Sequence, residues 1–128
     1  MERRLSAAME YVLAMLLTVG LVLGVGALWE PVRVSGGSMR PALLQGDLVL
    51  VRRGMRPRAG SIVLVRASGH RAVLHRVVAI NVVDGAVTTR GDANEVNDRE
   101  RAESDQIAGV VTRVVPLGVL LERWRGSE

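Results

Sequence analysis

The chain contains no cysteine and no phenylalanine, and its 17 basic residues are all arginine. Without cysteine there is no disulfide framework and no thiolate metal site, so stability outside a reducing compartment rests on packing alone. Without lysine, every mechanism that needs an ε-amine falls away, including a serine–lysine dyad and a Schiff base. Aromatic residues are limited to one tyrosine and two tryptophans. The core is therefore expected to consist of Val, Leu, Ile, Met and Ala, and no platform exists for stacking bases. The formal charge is +4, but the arginines are spread along the whole chain, so nucleic acid is not an expected partner. At 128 residues there is room for one small globular unit and not for two.

What the chain does have is a long apolar run. YVLAMLLTVGLVLGVGALW, residues 11–29, carries no charge and as a helix reaches about 28 Å, close to the thickness of a bilayer's hydrocarbon core. Tyr11 and Trp29 stand at its ends, where aromatics favour the headgroup region, and Glu10 and Glu30 bracket it. Gly20, Gly24 and Gly26 would weaken a helix in water and are better tolerated in a membrane. Val25-Gly26-Ala27 resembles a signal-peptide cleavage site, but the run exceeds a typical h-region, and a retained anchor is the favoured reading. Arg3 and Arg4 favour a cytoplasmic N-terminus. The expected division is a tail and anchor over residues 1–30 and an extracytoplasmic domain over residues 31–128.

Beyond Pro31 the pattern changes to short alternating runs rich in valine. DLVLVRR, SIVLVRA, AVLHRVVAI, AVTTR and IAGVVTRVV each read as a strand, separated by turn signals at Gly46-Asp47, Gly54 to Gly60, Ser68-Gly69, Asp84-Gly85 and Gly91-Asp92. Five or more short strands at this spacing predict a mainly β fold, a small all-β domain of packed antiparallel sheets or a partial barrel behind one N-terminal helix. Residues 91–106 are polar and non-periodic and read as a surface loop. The tail PLGVLLERWRGSE has too short an apolar core for a second span; it ends the domain or lies against the membrane surface.

Chemistry has few residues to draw on. Of the two histidines, His70 lies in a turn-like context and reads as solvated. His75 lies in the strand AVLHRVVAI, where alternation groups it with Val73, Val77 and Ala79 and opposes Leu74, Arg76, Val78 and Ile80. Burial disfavours the charged form of an imidazole, leaving it able to accept a proton. Ser38, in SGGSMRP, has the makings of a nucleophile. Gly36 and Gly37 permit unusual backbone angles and close approach of a substrate, and the Ser38 N–H can stabilise an oxyanion. A serine hydroxyl needs a base, and a histidine base needs a carboxylate to fix its tautomer. The loop at residues 91–106 offers Asp92, Asp98 and Asp105 with Glu95, Glu100 and Glu103.

The segments GGSMRPALLQGDLVLV, LHRVVAI and TRGDANEVNDR resemble, in order and spacing, three conserved boxes of signal peptidase I, in particular the endoplasmic-reticulum and archaeal type in which histidine replaces the general-base lysine. The resemblance extends over nearly all of the chain beyond the apolar run. It implies a membrane-bound serine endopeptidase that removes signal peptides from exported preproteins after small residues. Ser38 would be the nucleophile and His75 the base, with Asp98 the favoured third member and Asp92 the competing carboxylate. Gly37 and Met39, beside the nucleophile, are candidate substrate contacts, although Met39 reads equally well as core. Gly36 stands where many relatives carry a serine that helps to bind the oxyanion. No cofactor or metal is implied. The partners implied are preprotein signal peptides, membrane lipid and, as in the family's eukaryotic members, accessory subunits. A non-enzymatic, membrane-tethered β-domain is the competing reading. Repressor-type self-processing proteases use a lysine base, and the Arg90-Gly91-Asp92 adhesion tripeptide is a common chance match.

Overall fold

The computed structural model describes residues 6–126. Helix α1 (Ala7–Leu28) is followed without a linker by β1 (Trp29–Arg33), then β2 (Leu48–Arg53), β3 (Ile62–Val65), β4 (Val73–Ile80), β5 (Val87–Arg90) and β6 (Ile107–Val115), and the chain closes on α2 (Leu117–Arg125). The six strands form one antiparallel sheet in the order β1-β2-β6-β3-β4-β5.

Ser6 caps α1, its hydroxyl accepting from the Met9 N–H. None of α1 is buried, so its Leu, Val and Met side chains have no protein cover. Among the described residues it is the one helix long and apolar enough to cross a membrane. It ends one residue earlier than the apolar run suggested. Trp29 opens β1, its ring lies 4.7 Å from the Arg52 guanidinium, and its indole N–H donates to Thr112 Oγ1. The tryptophan expected at the headgroups is thus a sheet residue stacked against a cation. Glu30 follows it into the sheet and accepts from Arg53 and Arg66; the Arg66 hydrogen bond, above all, holds its carboxyl below the usual range. The Arg53 guanidinium also donates to the Gly26 carbonyl, tying the last turn of α1 to β2.

The sheet buries apolar side chains on both faces. On β3, Val63 belongs to a cluster with Val77, Val87 and Val110, whereas its neighbour Leu64 packs with Val34, Met39, Leu43, Val49, Val51 and Leu74. Successive residues of a strand point to opposite faces, and the second cluster takes its cover from the segment at residues 34–47 that carries Ser38. The expected phase of β4 holds through Val77 and then breaks. A bulge against β5 between Val77 and Ala79 leaves Ala79 exposed and packs Ile80 beside Val77.

Three elements are not expected from the sequence: β1, α2 and a single 3-10 turn at Ser104–Gln106 that leads into β6. The Asp47 carboxylate, 3% exposed, accepts from the Leu44 N–H at 2.9 Å and from the Gly118 N–H at 2.7 Å. One buried side chain thereby joins the end of the 34–47 segment to the first turn of α2, an N-terminal position that favours a carboxylate. An ion pair from Arg40 to Glu122 ties the same two elements at the surface.

Candidate active site

Ser38 sits in the turn between β1 and β2, and His75 is the third residue of β4. The Ser38 Oγ lies 3.2 Å from His75 Nε2, and His75 Nδ1 lies 2.5 Å from Asp98 Oδ2. His75 is 9% exposed. Asp98 is placed by β5: its N–H donates to the Thr89 carbonyl at 2.9 Å, and the Thr89 hydroxyl donates to Asp98 Oδ2 at 2.6 Å. Val87 and Ala102 exchange N–H···O=C bonds. The loop expected to be a solvated connection therefore runs along the β5 edge, and that pairing delivers Asp98 to the imidazole.

Asp92 goes elsewhere. Its two oxygens accept from Arg76 Nε at 2.8 Å and Nη2 at 2.7 Å, and Arg76 Nη1 reaches the Gly60 carbonyl. The fork on Arg76 holds the Asp92 carboxyl below its ordinary range, with the charges of Arg76, Arg90 and His75 acting in the same direction. Of the two competing aspartates, Asp98 is the one in contact with His75, and Asp92 braces the turn that precedes it.

The depressed value makes a stability prediction. In the unfolded chain Asp92 gains its proton near pH 4, while in the folded protein it holds on to its charge to lower pH. The pair's stabilisation is present above the unfolded value and is lost as pH falls through the folded one. Asp92→Asn is expected to be less stable than the wild type by about 1–2 kcal/mol at neutral pH, with the gap closing below about pH 4. Thermal melts of both proteins between neutral and acid pH read this directly, and a gap unchanged at acid pH would overturn it.

A cleft of about 240 Å³ opens beside Ser38, lined by Val34, Ser35, Gly36, Met39 and Leu74 among others. Met39 is 1% exposed; it belongs to the core and presents part of the cleft wall. Of the two uses expected of the glycines before Ser38, unusual backbone angles are not seen. Neither adopts a positive φ, and a Cβ at Gly36 would meet nothing within 4 Å, while one at Gly37 would touch only the Arg40 side chain. What they leave is room. The glycine this site requires is Gly91, where a Cβ would stand 2.6 Å from the Ser38 carbonyl oxygen and 3.1 Å from His75 Nε2. His70 is exposed in the β3–β4 turn, as its sequence context suggested. Thr89 reads in the sequence only as part of a strand, and Gly91 only as a turn signal. A threonine on the inward phase of AVTTR, alternating with Val87, was the available signal for the first.

A hydroxyl on an imidazole whose far nitrogen rests on a carboxylate can deliver a nucleophilic oxygen to a carbonyl carbon and move its proton twice. The site therefore brings a serine, a histidine and a carboxylate into line on a small antiparallel sheet behind an apolar helix, an arrangement capable of acyl transfer. Residues 8–109 match the family described as "Signal peptidase, peptidase S26", and the chain belongs to that family. It is 35% identical over 101 residues to the signal peptidase complex catalytic subunit SEC11C of Homo sapiens, Mus musculus and Canis lupus familiaris, covering 74% of this chain and 53% of each of those proteins. The chain thus spans about half the length of the curated relatives it matches.

Proposed function

We propose that the protein is a membrane-anchored serine endopeptidase that cleaves N-terminal signal peptides from exported preproteins. The observation that carries this reading is the continuous contact from Ser38 Oγ through His75 to Asp98, in a chain whose family is that of the signal peptidases. Ser38 attacks the scissile carbonyl while His75 Nε2 takes its proton, and Asp98 holds the ring in the tautomer that leaves Nε2 free to accept. Charge develops on the carbonyl oxygen. The Ser38 N–H donates to no protein acceptor among the described residues, which leaves it available to that oxyanion beside Gly36 and Ser35. His75 then returns the proton to the leaving amine, and water, activated by the same imidazole, releases the acyl group from Ser38.

The small volume of the cleft beside Ser38, where Val34, Met39, Leu64 and Leu74 line the wall together with Arg33 and Arg71, supports a preference for small side chains next to the cut. With α1 as a single span and residues 31–128 as the catalytic unit on the extracytoplasmic side, the site would stand beside the segment where a signal peptide leaves the bilayer. The SEC11C relatives are named as subunits of a complex, and accessory subunits are proposed here by the same relationship. The test is incubation of the detergent-solubilised protein with a preprotein, followed by identification of the new N-terminus. The expected result is one cut after a small residue, lost in Ser38→Ala. Cleavage undiminished in that variant would end the mechanism, and no cleavage by the folded wild type, alone or with membrane-extract partners, would favour a binding domain.

A further inference from the structure

Asp98 Oδ2 is asked to do two things at once, since it accepts from both His75 Nδ1 and the Thr89 hydroxyl. We infer that Thr89 is a positioning residue for the reaction proposed above: it acts on the imidazole through Asp98 and never touches substrate. Its place follows from the register. Thr89 pairs with Val77 across β4 and β5, and directly paired residues share a face, as do residues two apart on one strand. Thr89 therefore lies on the His75 face of the sheet. It is 3% exposed, and its hydroxyl is committed to Asp98.

The direction of the bond is fixed by chemistry. An ionised carboxylate only accepts, so the Thr89 proton points at Oδ2. The Asp98 N–H on the Thr89 carbonyl adds a second tie between the same two residues. Together they pin both the backbone and one oxygen of Asp98, which sits on a loop and would otherwise choose among rotamers, only some of which reach Nδ1. A pinned carboxylate orients the ring for proton transfer at Nε2. The effect belongs to the chemical step, with little reason to alter how the peptide binds.

The experiment compares wild type, Thr89→Val, Thr89→Ser, Asp98→Asn and the Thr89→Val/Asp98→Asn double variant, as the full chain in detergent with a preprotein substrate. Valine keeps the shape and suits a strand. Thr89→Val is expected to lower kcat about 10- to 100-fold with KM within about twofold, and Thr89→Ser to stay within about threefold of wild type. In the Asp98→Asn background, Thr89→Val is expected to cost less than about threefold more, because the group it acts through is already impaired. Wild-type kcat in the valine variant, a serine variant as poor as valine, or the full loss repeated in the asparagine background would each overturn the inference. Should the valine variant not fold, Thr89→Ala takes its place in the same comparison. A readout independent of cleavage separates this inference from the peptidase reading: the downfield proton resonance of His75 Nδ1–H, expected to persist in Thr89→Ser and to broaden in Thr89→Val. An unchanged resonance in Thr89→Val overturns the inference whether or not any preprotein is cut.

Discussion

Ser38→Ala and His75→Ala are each expected to lower kcat for preprotein cleavage by about 10⁴- to 10⁶-fold, and the double variant to be no worse than either alone. The two side chains act as one unit. Their contact runs from Oγ to Nε2 at 3.2 Å, and without the imidazole the hydroxyl stays protonated, while without the hydroxyl the imidazole has nothing to activate. KM should change little, since neither group supplies much of the binding surface. Asp98→Asn is expected to lose about 10³- to 10⁴-fold, because an amide donating to Nδ1 stabilises the wrong tautomer. Asp92→Asn, whose wild-type carboxylate rests on Arg76, should lose far less. Single-turnover rates on proteins verified as folded by circular dichroism would measure all of these. Additive losses in the double variant, or a larger loss in Asp92→Asn than in Asp98→Asn, would be incompatible with the assignment.

Five of the six strands are legible in the sequence because they alternate with period two, and the turns before β2, between β2 and β3, between β3 and β4 and between β4 and β5 carry glycines at positive φ (Gly46, Gly54, Gly60, Gly69 and Gly85). β1 was not legible. WEPVR continues directly from the apolar run and contains a proline, and proline is confined to strand edges; the structure puts it there, on the outermost strand beside β2. α2 was missed for a related reason. Its nine residues are too few to show a convincing helical period, and only Gly118 is buried. It is tied by the Asp47 carboxylate, 71 residues earlier in the chain, and by Arg40 on Glu122, tertiary bonds that no local pattern announces.

The site divides along the same line. Ser38 and His75 stand out because a serine among glycines and a lone histidine on an aliphatic strand face break local patterns. The choice between Asp98 and Asp92 turns on how a loop is laid against β5, and that depends on the Val87–Ala102 pairing and the Thr89–Asp98 bonds. Glycine is harder to interpret from sequence, since flexibility and close approach leave the same letter. Gly36 and Gly37 adopt no positive φ and leave open space beside Ser38, while the steric demand inside the site falls on Gly91.

That demand yields the second large effect. Gly91→Ala is expected to lower kcat about 100-fold or more and to cost about 1–3 kcal/mol of stability, as overpacking does. The constraint on Gly91 is one of space, since it does not adopt a positive φ. A Cβ would stand 2.6 Å from the Ser38 carbonyl oxygen, 2.8 Å from Asn94 Nδ2 and 3.1 Å from His75 Nε2. The Asn94 amide can swing away, but the Ser38 carbonyl is backbone and already accepts from the Ala93 N–H at 2.8 Å. Relief must come from moving the Ser38 turn or the His75 ring, and either displaces the Oγ–Nε2 contact from productive geometry. Gly36→Ala is the control, because a Cβ there meets nothing within 4 Å and the melting temperature should hold. Parallel melts and cleavage rates on the two variants decide the point: near-wild-type kcat in Gly91→Ala would mean that the crowding is relieved elsewhere, and a fall in both melting temperature and kcat would make this glycine a spacer for the nucleophile and its base.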